Sequence, residues 1–214
     1  MGFVARQYTD FGQNNGWQGI PRHFVRNYFT NIMKYILASG SPRRKELLSK
    51  ITTEFTVIPS EANEVTTAAE PRDMCRELAC RKALDIFNKL PVADRTDSIV
   101  IGCDTVVDLD GKVLGKPHSA QQATQMLQAL SARTHKVHTG YCIVSTNKVA
   151  CGTESTLVTF RTLSSSEIDA YVASGAPMDK AGAYGIQETD FVANYDGSFD
   201  NVIGLPTETL AKLL

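Results

Sequence analysis

The sequence predicts an α/β protein built on an elongated mixed β-sheet with helices packed against it. Short apolar runs of strand character alternate with segments of helical period. Helix-start signals, Ser41-Pro42, Pro71, Ser119 and Pro206, recur after those runs. The composition is that of an ordinary soluble domain, 43% hydrophobic and 21% charged. A chain of 214 residues buries roughly 70% of its unfolded surface, so it needs no disulfide or metal staple. A formal net charge of -1, from 22 basic and 23 acidic residues, excludes a general nucleic-acid coat. No apolar run approaches the ~20 residues of a membrane span. The expected partners are therefore neither membrane nor stably bound nucleic acid.

Residues 1–33 stand apart. They carry Arg6, Arg22 and Arg26 against the single acid Asp10, yet lack the serine content and period of a transit peptide and the apolar core of a secretory signal. The expected organisation is an extension over 1–33 and one domain over 34–214.

Within that domain, residues 35–38 predict a strand that leads through Ser39-Gly40-Ser41 into a helix bearing Leu47, Leu48 and Ile51. Residues 55–58 predict a second strand, followed by a polar loop to Ala69. Pro71 opens a long helix whose stripe includes Cys75, Leu78, Ala79, Ala83, Ile86 and Leu90. Residues 98–103 form an apolar strand, and 105–109 with 112–114 a hairpin through Asp110-Gly111. Ser119 caps a helix to Leu130. Two long strands follow, about 134–146 and 149–162, then a helix over 164–174, a short strand over 183–187 and a terminal helix over 206–214.

Five cysteines, an odd number without C-x-x-C or zinc-ligand spacing, predict buried reduced thiols and a reducing, cytoplasmic setting. His135 and His138, three apart on a strand, face opposite sides; one is expected near a pocket, the other on the surface or hydrogen-bonded.

Chemistry enters where local rules are broken. Arg43, Arg44 and Lys45 load the first turn of a helix capped by Ser41. A helix N-terminus is already positive, and each cation there costs about 0.3–1 kcal/mol. Either an anion offsets that cost, with Ser39, Ser41 and the free backbone N–H groups joining the guanidiniums, or the turn is merely solvated. No P-loop or G-x-G-x-x-G is present. Lys82 falls on the core stripe between Leu78 and Ile86, where it either snorkels out or delivers an ammonium into a cleft. Asp104, at the end of the apolar strand, is partly desolvated and needs a cation, a metal or a proton. Lys116 closes the hairpin region, while Asp108 and Asp110 suit turns. Glu61 and Glu64 are either metal carboxylates or solvated loop residues.

Together the segments Ser39-Gly-Ser-Pro-Arg-Arg-Lys-Glu-Leu-Leu48, Gly102-Cys-Asp-Thr-Val-Val107, Leu114-Gly-Lys-Pro117, Thr134-His-Lys-Val-His-Thr-Gly140, Asp179-Lys-Ala-Gly-Ala-Tyr-Gly-Ile-Gln187 and Asn201-Val-Ile-Gly-Leu-Pro206 resemble, in order, the Maf family of nucleoside triphosphate pyrophosphatases. The resemblance covers residues 34–214. It implies a mixed sheet between two helical lobes, a fold related to the inosine triphosphate pyrophosphatases, with the nucleotide in the cleft. Arg43, Thr105 and Gln187 match the dTTP/UTP subgroup. The 7-methyl-GTP subgroup differs there, with Trp after Ser-Pro. Two departures are Ala132, where glycine is usual, and Ala176, where glutamate is common.

The implied reaction converts a nucleoside triphosphate and water to the monophosphate and pyrophosphate. Asp104 is implied as proton acceptor. Ser39, Ser41, Arg43, Arg44, Lys82 and Lys116 bind the triphosphate, and Gln187 reads the pyrimidine imide with Thr105 expected to lock its amide. The expected cofactor is Mg²⁺ or Mn²⁺ on Asp104, with Glu64, from the residues alone, as the candidate second ligand. The family also implies a homodimer. A contrasting expectation is a non-catalytic nucleotide- or RNA-binding regulator of cell division.

Overall fold

Two apolar stripes of opposite phase run through the central strands and fix which helices cover which face. They are seen in a computed structural model that describes residues 33–214; the expected extension, apart from Met33, lies outside the described residues. Among these, seven strands make one mixed sheet: β1 (Lys34–Leu37), β2 (Phe55–Val57), β3 (Ser98–Leu109), β4 (Lys112–Leu114), β5 (Thr134–Ser145), β6 (Lys148–Phe160) and β7 (Val192–Asp196). The order is β2-β1-β3-β5-β6-β7, with β4 also on β3. β1 runs parallel to β2 and β3, and every other pairing is antiparallel.

Ile36, Val100, Cys142 and Val144 share one face, buried against Ala79, Ala83 and Ile86 of the long helix, α2 (Pro71–Lys89). The helix before it, α1 (Pro42–Ser49), lies on the other face. There Leu37, Ile101, Cys103 and Ile143 meet its Leu47 and Leu48, along with Leu205 and Leu210 near the C-terminus. Period-2 alternation thus supplies two cores from the same strands. A third cluster lies at the far end of β3, β5 and β6. It holds Val107, Val137, Val158 and Phe160 with Leu127, Leu130 and Ile168. α2 lies close on the sheet because Gly102 and Gly140 present no side chain. A Cβ at Gly102 would sit 2.3 Å from the Ala79 carbonyl oxygen, and one at Gly140 2.2 Å from that of Cys75.

The register contains a gap. β5 covers one edge of β3 over residues 100–108, so β1 and β4 share the opposite edge. β1 ends opposite Ile101, and the antiparallel β4 ends opposite Val107. Residues 102–106 therefore have no strand partner on that side, and a cleft opens there.

The structure corrects several expectations. β3 is one continuous strand, so Asp104 lies inside it rather than at its end. Residues 183–187 form no strand: 3₁₀ turns occupy Ala176–Asp179 and Ala181–Ala183, with a turn after them. Glycines at 182 and 185 and the Pro177 region favour such turns over a ladder. Three elements went unpredicted: α3 (Val92–Arg95), β7 and α6 (Phe199–Ile203), the last two ahead of the terminal helix α7 (Thr207–Leu213). α4 (Ala120–Leu130) and α5 (Ser165–Ala173) occur as expected, α5 with a full capping box between Ser164 and Glu167.

Neither His135 nor His138 is on the surface. His135 Nε2 lies 2.8 Å from the Tyr184 hydroxyl. His138 sits 2.7 Å from Ser155 Oγ and 3.4 Å from Asp108. Asp108 is buried and accepts the Gly111 N–H at 2.6 Å, so it is more than a solvated turn residue. Of the five cysteines only Cys75, Cys103 and Cys142 are buried; Cys80 is half-buried and Cys151 exposed. Ala132 takes a left-handed φ of 58°, which explains why glycine suits that position.

Candidate active site

The gap in the sheet edge gathers the predicted residues. β1 hands the chain to Ser39-Gly40-Ser41 at one side of the opening, and β4 hands it to Gly115-Lys116 at the other. Ser41, Arg43, Arg44, Glu64, Lys82, Asp104, Thr105, Lys116 and Gln187 all line one cleft of about 390 Å³. Ser39 stands just behind, accepting hydrogen bonds from Arg44 Nη1 at 3.2 Å and from the Ser41 N–H at 3.3 Å.

Alternation places Asp104 and Thr105 on opposite faces of β3, and each meets a cation from the helix on its side. From α2, Lys82 Nζ lies 2.6 Å from Asp104 Oδ1 and 2.6 Å from Glu64 Oε1. Lys82 and Asp104 keep only 12% and 13% of their side-chain surface in solvent, against 66% for Glu64. The ammonium is thus delivered into the cleft rather than snorkelled away from it. Its hydrogen bond holds the Glu64 carboxyl below the usual glutamate range against some desolvation, with Lys116 and Arg44 adding at longer range.

From α1, Arg44 is fixed at three points: Nε to the Gly204 carbonyl at 2.9 Å, Nη1 to Ser39, and Nη2 to Thr105 Oγ1 at 3.1 Å. Thr105 Oγ1 is also 3.0 Å from Thr139 Oγ1, which donates to the Asn201 carbonyl at 2.8 Å. Gly204 has a φ of 128°, a conformation that favours glycine, and a Cβ there would sit 3.3 Å from Thr105 Oγ1 and 3.4 Å from Arg44 Nε. The Ser41 cap on the Arg44 N–H is long, 3.5 Å, so the first turn of α1 keeps donors for an anion.

Sequence reasoning missed an acid–base cluster beside Arg43. Arg43 donates from Nη1 to Asp179 Oδ2 at 2.7 Å and from Nη2 to the Asp179 carbonyl at 3.1 Å. The buried Lys180 ammonium reaches Asp179 Oδ1 at 2.9 Å and Glu188 Oε2 at 3.0 Å. Partial burial raises the Asp179 carboxyl, but Lys180 and Arg43 outweigh it and hold it below its ordinary value. The signal in the sequence is the Asp179-Lys180 pair, an acid and a base side by side just ahead of Gly182.

Two pairings differ from expectation. The Gln187 amide donates to Glu188 Oε1 at 3.2 Å, whereas Thr105 is taken up by Arg44 and Thr139. Glu188, and not Thr105, therefore orients the amide. Glu61 turns outward to Lys89, 4.0 Å away, and does not line the cleft, because Asp85 ties its N–H to α2.

Chemically, the cleft offers a shielded carboxylate held by an ammonium, two arginines at a helix N-terminus, and an amide at the rim. That set can bind a polyanion and take a proton beside it. The model of the family described as Maf-like protein matches residues 34–214. The chain belongs to the Maf-like family. Relatives within it include a dTTP/UTP pyrophosphatase of Thermococcus kodakarensis, 47% identical over 180 residues, covering 83% of this chain and 94% of the relative. Another, from Bacillus cereus, is 43% identical over 193 residues, covering 89% and 93%. Membership accounts for the mixed sheet flanked by helices.

Proposed function

We propose that this Maf-like protein is a hydrolase that splits dTTP and UTP into the monophosphate and pyrophosphate. The observation that carries the reading is the Lys82–Asp104 pair, set in the sheet-edge gap and facing the basic first turn of α1. The relatives' activity on dTTP and UTP supports the choice of substrate.

Arg43, Arg44, Ser39, Ser41 and Lys116 bind the triphosphate and spread its charge. Water adds to the α-phosphorus, its proton passes to Asp104 Oδ, and the bond from the α-phosphorus to the bridging oxygen breaks as pyrophosphate leaves. Lys82 Nζ holds Asp104 in position, and the cleft walls limit bulk water. Arg43 is already shaped by Asp179, which a phosphate oxygen can replace. Gln187, turned by Glu188, offers a donor and an acceptor to the uracil or thymine imide edge.

The donors fit a hard divalent cation, since Asp104 and Glu64 point oxygens at one spot, now held by the Lys82 ammonium, which would turn to a phosphate oxygen when the ion is bound. Asp104 and Glu64 would hold Mg²⁺ or Mn²⁺ there, and the ion would supply charge neutralisation for the triphosphate. The family resemblance supports a homodimer as the working form. Five free cysteines among the described residues suit a reducing cytoplasmic setting. Among the described residues no helix is long and apolar enough to cross a membrane. A non-catalytic nucleotide- or RNA-binding role is not favoured, because Asp104 and Glu64 would repel the phosphates such a module must hold.

Pyrophosphate release from dTTP, UTP, CTP, GTP and ATP with Mg²⁺ is the decisive assay. The expected order places dTTP and UTP first, with the purine triphosphates far behind. Equal efficiency on GTP or ATP would reject the pyrimidine assignment; no pyrophosphate from any of them would reject the reaction.

A further inference from the structure

Outside the cleft, three of the five cysteines converge although the sequence holds them 62 and 9 residues apart. Cys142 on β5 and Cys151 on β6 are direct cross-strand partners, so their side chains leave the sheet on the same face. That face is the one α2 covers, and α2 lays Cys80 over the pair. The sulfurs of Cys80, Cys142 and Cys151 all lie within 4.8 Å of one another, and no disulfide links any of them.

We propose that Cys80, Cys142 and Cys151 form a binding site for a thiophilic d¹⁰ cation, Zn²⁺ being the representative. Three thiolates about 2.3 Å from a tetrahedral zinc stand roughly 3.8 Å apart, inside the 4.8 Å that bounds these sulfurs. Burial is graded across the site: Cys142 is buried, Cys80 half-buried and Cys151 exposed. The exposed thiol of Cys151 provides the entry path, and a water would complete the tetrahedron.

Charge favours the thiolate at Cys80 and opposes it at Cys142 and Cys151. Hydrogen bonds from Cys142 and then Cys151, with Arg76 nearby, pull the Cys80 thiol down to about 6. Arg76 precedes Cys80 by one helical turn and offsets the anionic charge of three thiolates on a dication. Cys142 is pushed up as the donor to Cys80, and burial pushes Cys151 up to about 11. Binding therefore forms three sulfur–metal bonds and releases up to three protons to solvent, with no change of oxidation state. The all-sulfur donor set separates this site from the cleft, whose donors are all oxygen and suit a hard cation. A bound cation would pin α2, which also carries Lys82, to β5 and β6.

The test uses the full chain, kept reduced by a phosphine and stripped of metal. One equivalent of Co²⁺ is expected to give a sulfur-to-cobalt charge-transfer band with intense tetrahedral d–d bands, both bleached by Zn²⁺, and Zn²⁺ should raise Tm. Cys151→Ser, at an exposed position, should weaken Zn²⁺ at least ~10-fold and lower the charge-transfer band while the apo fold is unchanged by circular dichroism. Cys80→Ser provides a second, independent variant. Asp104→Asn should keep the band, which separates this site from any ion in the cleft. A folded wild-type protein without the charge-transfer band overturns the proposal, as does a band that persists undiminished in both cysteine variants.

Discussion

Asp104 stands where β3 lacks a neighbour on one edge, with a lysine rather than an apolar side chain across from it. Exchange for asparagine keeps the shape, removes the proton acceptor and removes a negative charge beside the phosphates. Asp104→Asn should lower kcat at least ~10²-fold while leaving KM for dTTP unchanged or reduced; retention of more than about a tenth of kcat would mean that another group takes the proton. His135 makes a different residue-scale prediction. Burial against Phe160 and Tyr184 holds its imidazole down to about 4, from an ordinary 6.5. Between those values the unfolded chain binds a proton that the folded chain refuses. Stability is therefore complete above about pH 6.5, falls as the pH drops towards 4, and levels below it, with a slope of up to ~1.4 kcal/mol per pH unit. Burial also lowers His138, against the pull of Asp108, which adds loss in the same direction. Above pH 4.5 the lowered carboxyls of Glu64 and Asp179 stay ionised in the folded state, so the two histidines dominate this window. Urea melts from pH 7 to 5 should show the slope, and His135→Gln should flatten it; an unchanged slope would mean that His135 is protonated in the fold.

At the scale of elements, the cleft depends on α2 lying close enough to the sheet for Lys82 to reach Asp104. Gly102→Ala places a methyl 2.3 Å from the Ala79 carbonyl oxygen and 2.8 Å from the Ala83 nitrogen. These are backbone atoms, so the helix must move. The expected result is a loss of about 1–3 kcal/mol or more, read as a lower Tm, together with a fall in kcat from the displaced Lys82. A stable, fully active Gly102→Ala would show that the close approach is not required. Part of this arrangement is legible in the sequence. The anomalous features were visible directly: a cation-loaded helix start, a lysine on an apolar stripe, a carboxylate in an apolar strand. All three face one cleft because misplaced charge needs a partner, and the partner must be near. The partners themselves were hidden. Thr105 binding Arg44 and the convergence of Cys80 with Cys142 and Cys151 arise from strand register and helix placement. No local pattern encodes those. The 183–187 region misled because Ala, Tyr and Ile there mimic a strand, while its glycines determine turns.

For the whole molecule, residues 33–214 contain every motif, all three apolar clusters and both edges of the cleft. The family match begins at residue 34, and Met33–Leu214 separates as a unit by its own contacts. β1 starts at Lys34, and its backbone N–H already bonds to the Asp97 carbonyl at 2.7 Å, so the first strand is anchored from its first residue. A chain beginning at Met33 should therefore unfold cooperatively, with a Tm within a few degrees of the full chain, since ~1 kcal/mol corresponds to roughly 2–4 °C at this size. Its kcat/KM for dTTP should match that of the full chain within about twofold, or ~0.4 kcal/mol of transition-state stabilisation. Loss of cooperative unfolding in the shortened chain would make residues 1–32 part of the core. An unchanged Tm with a much reduced kcat/KM would instead assign them a role at the cleft, and either result would refute the division at residue 33.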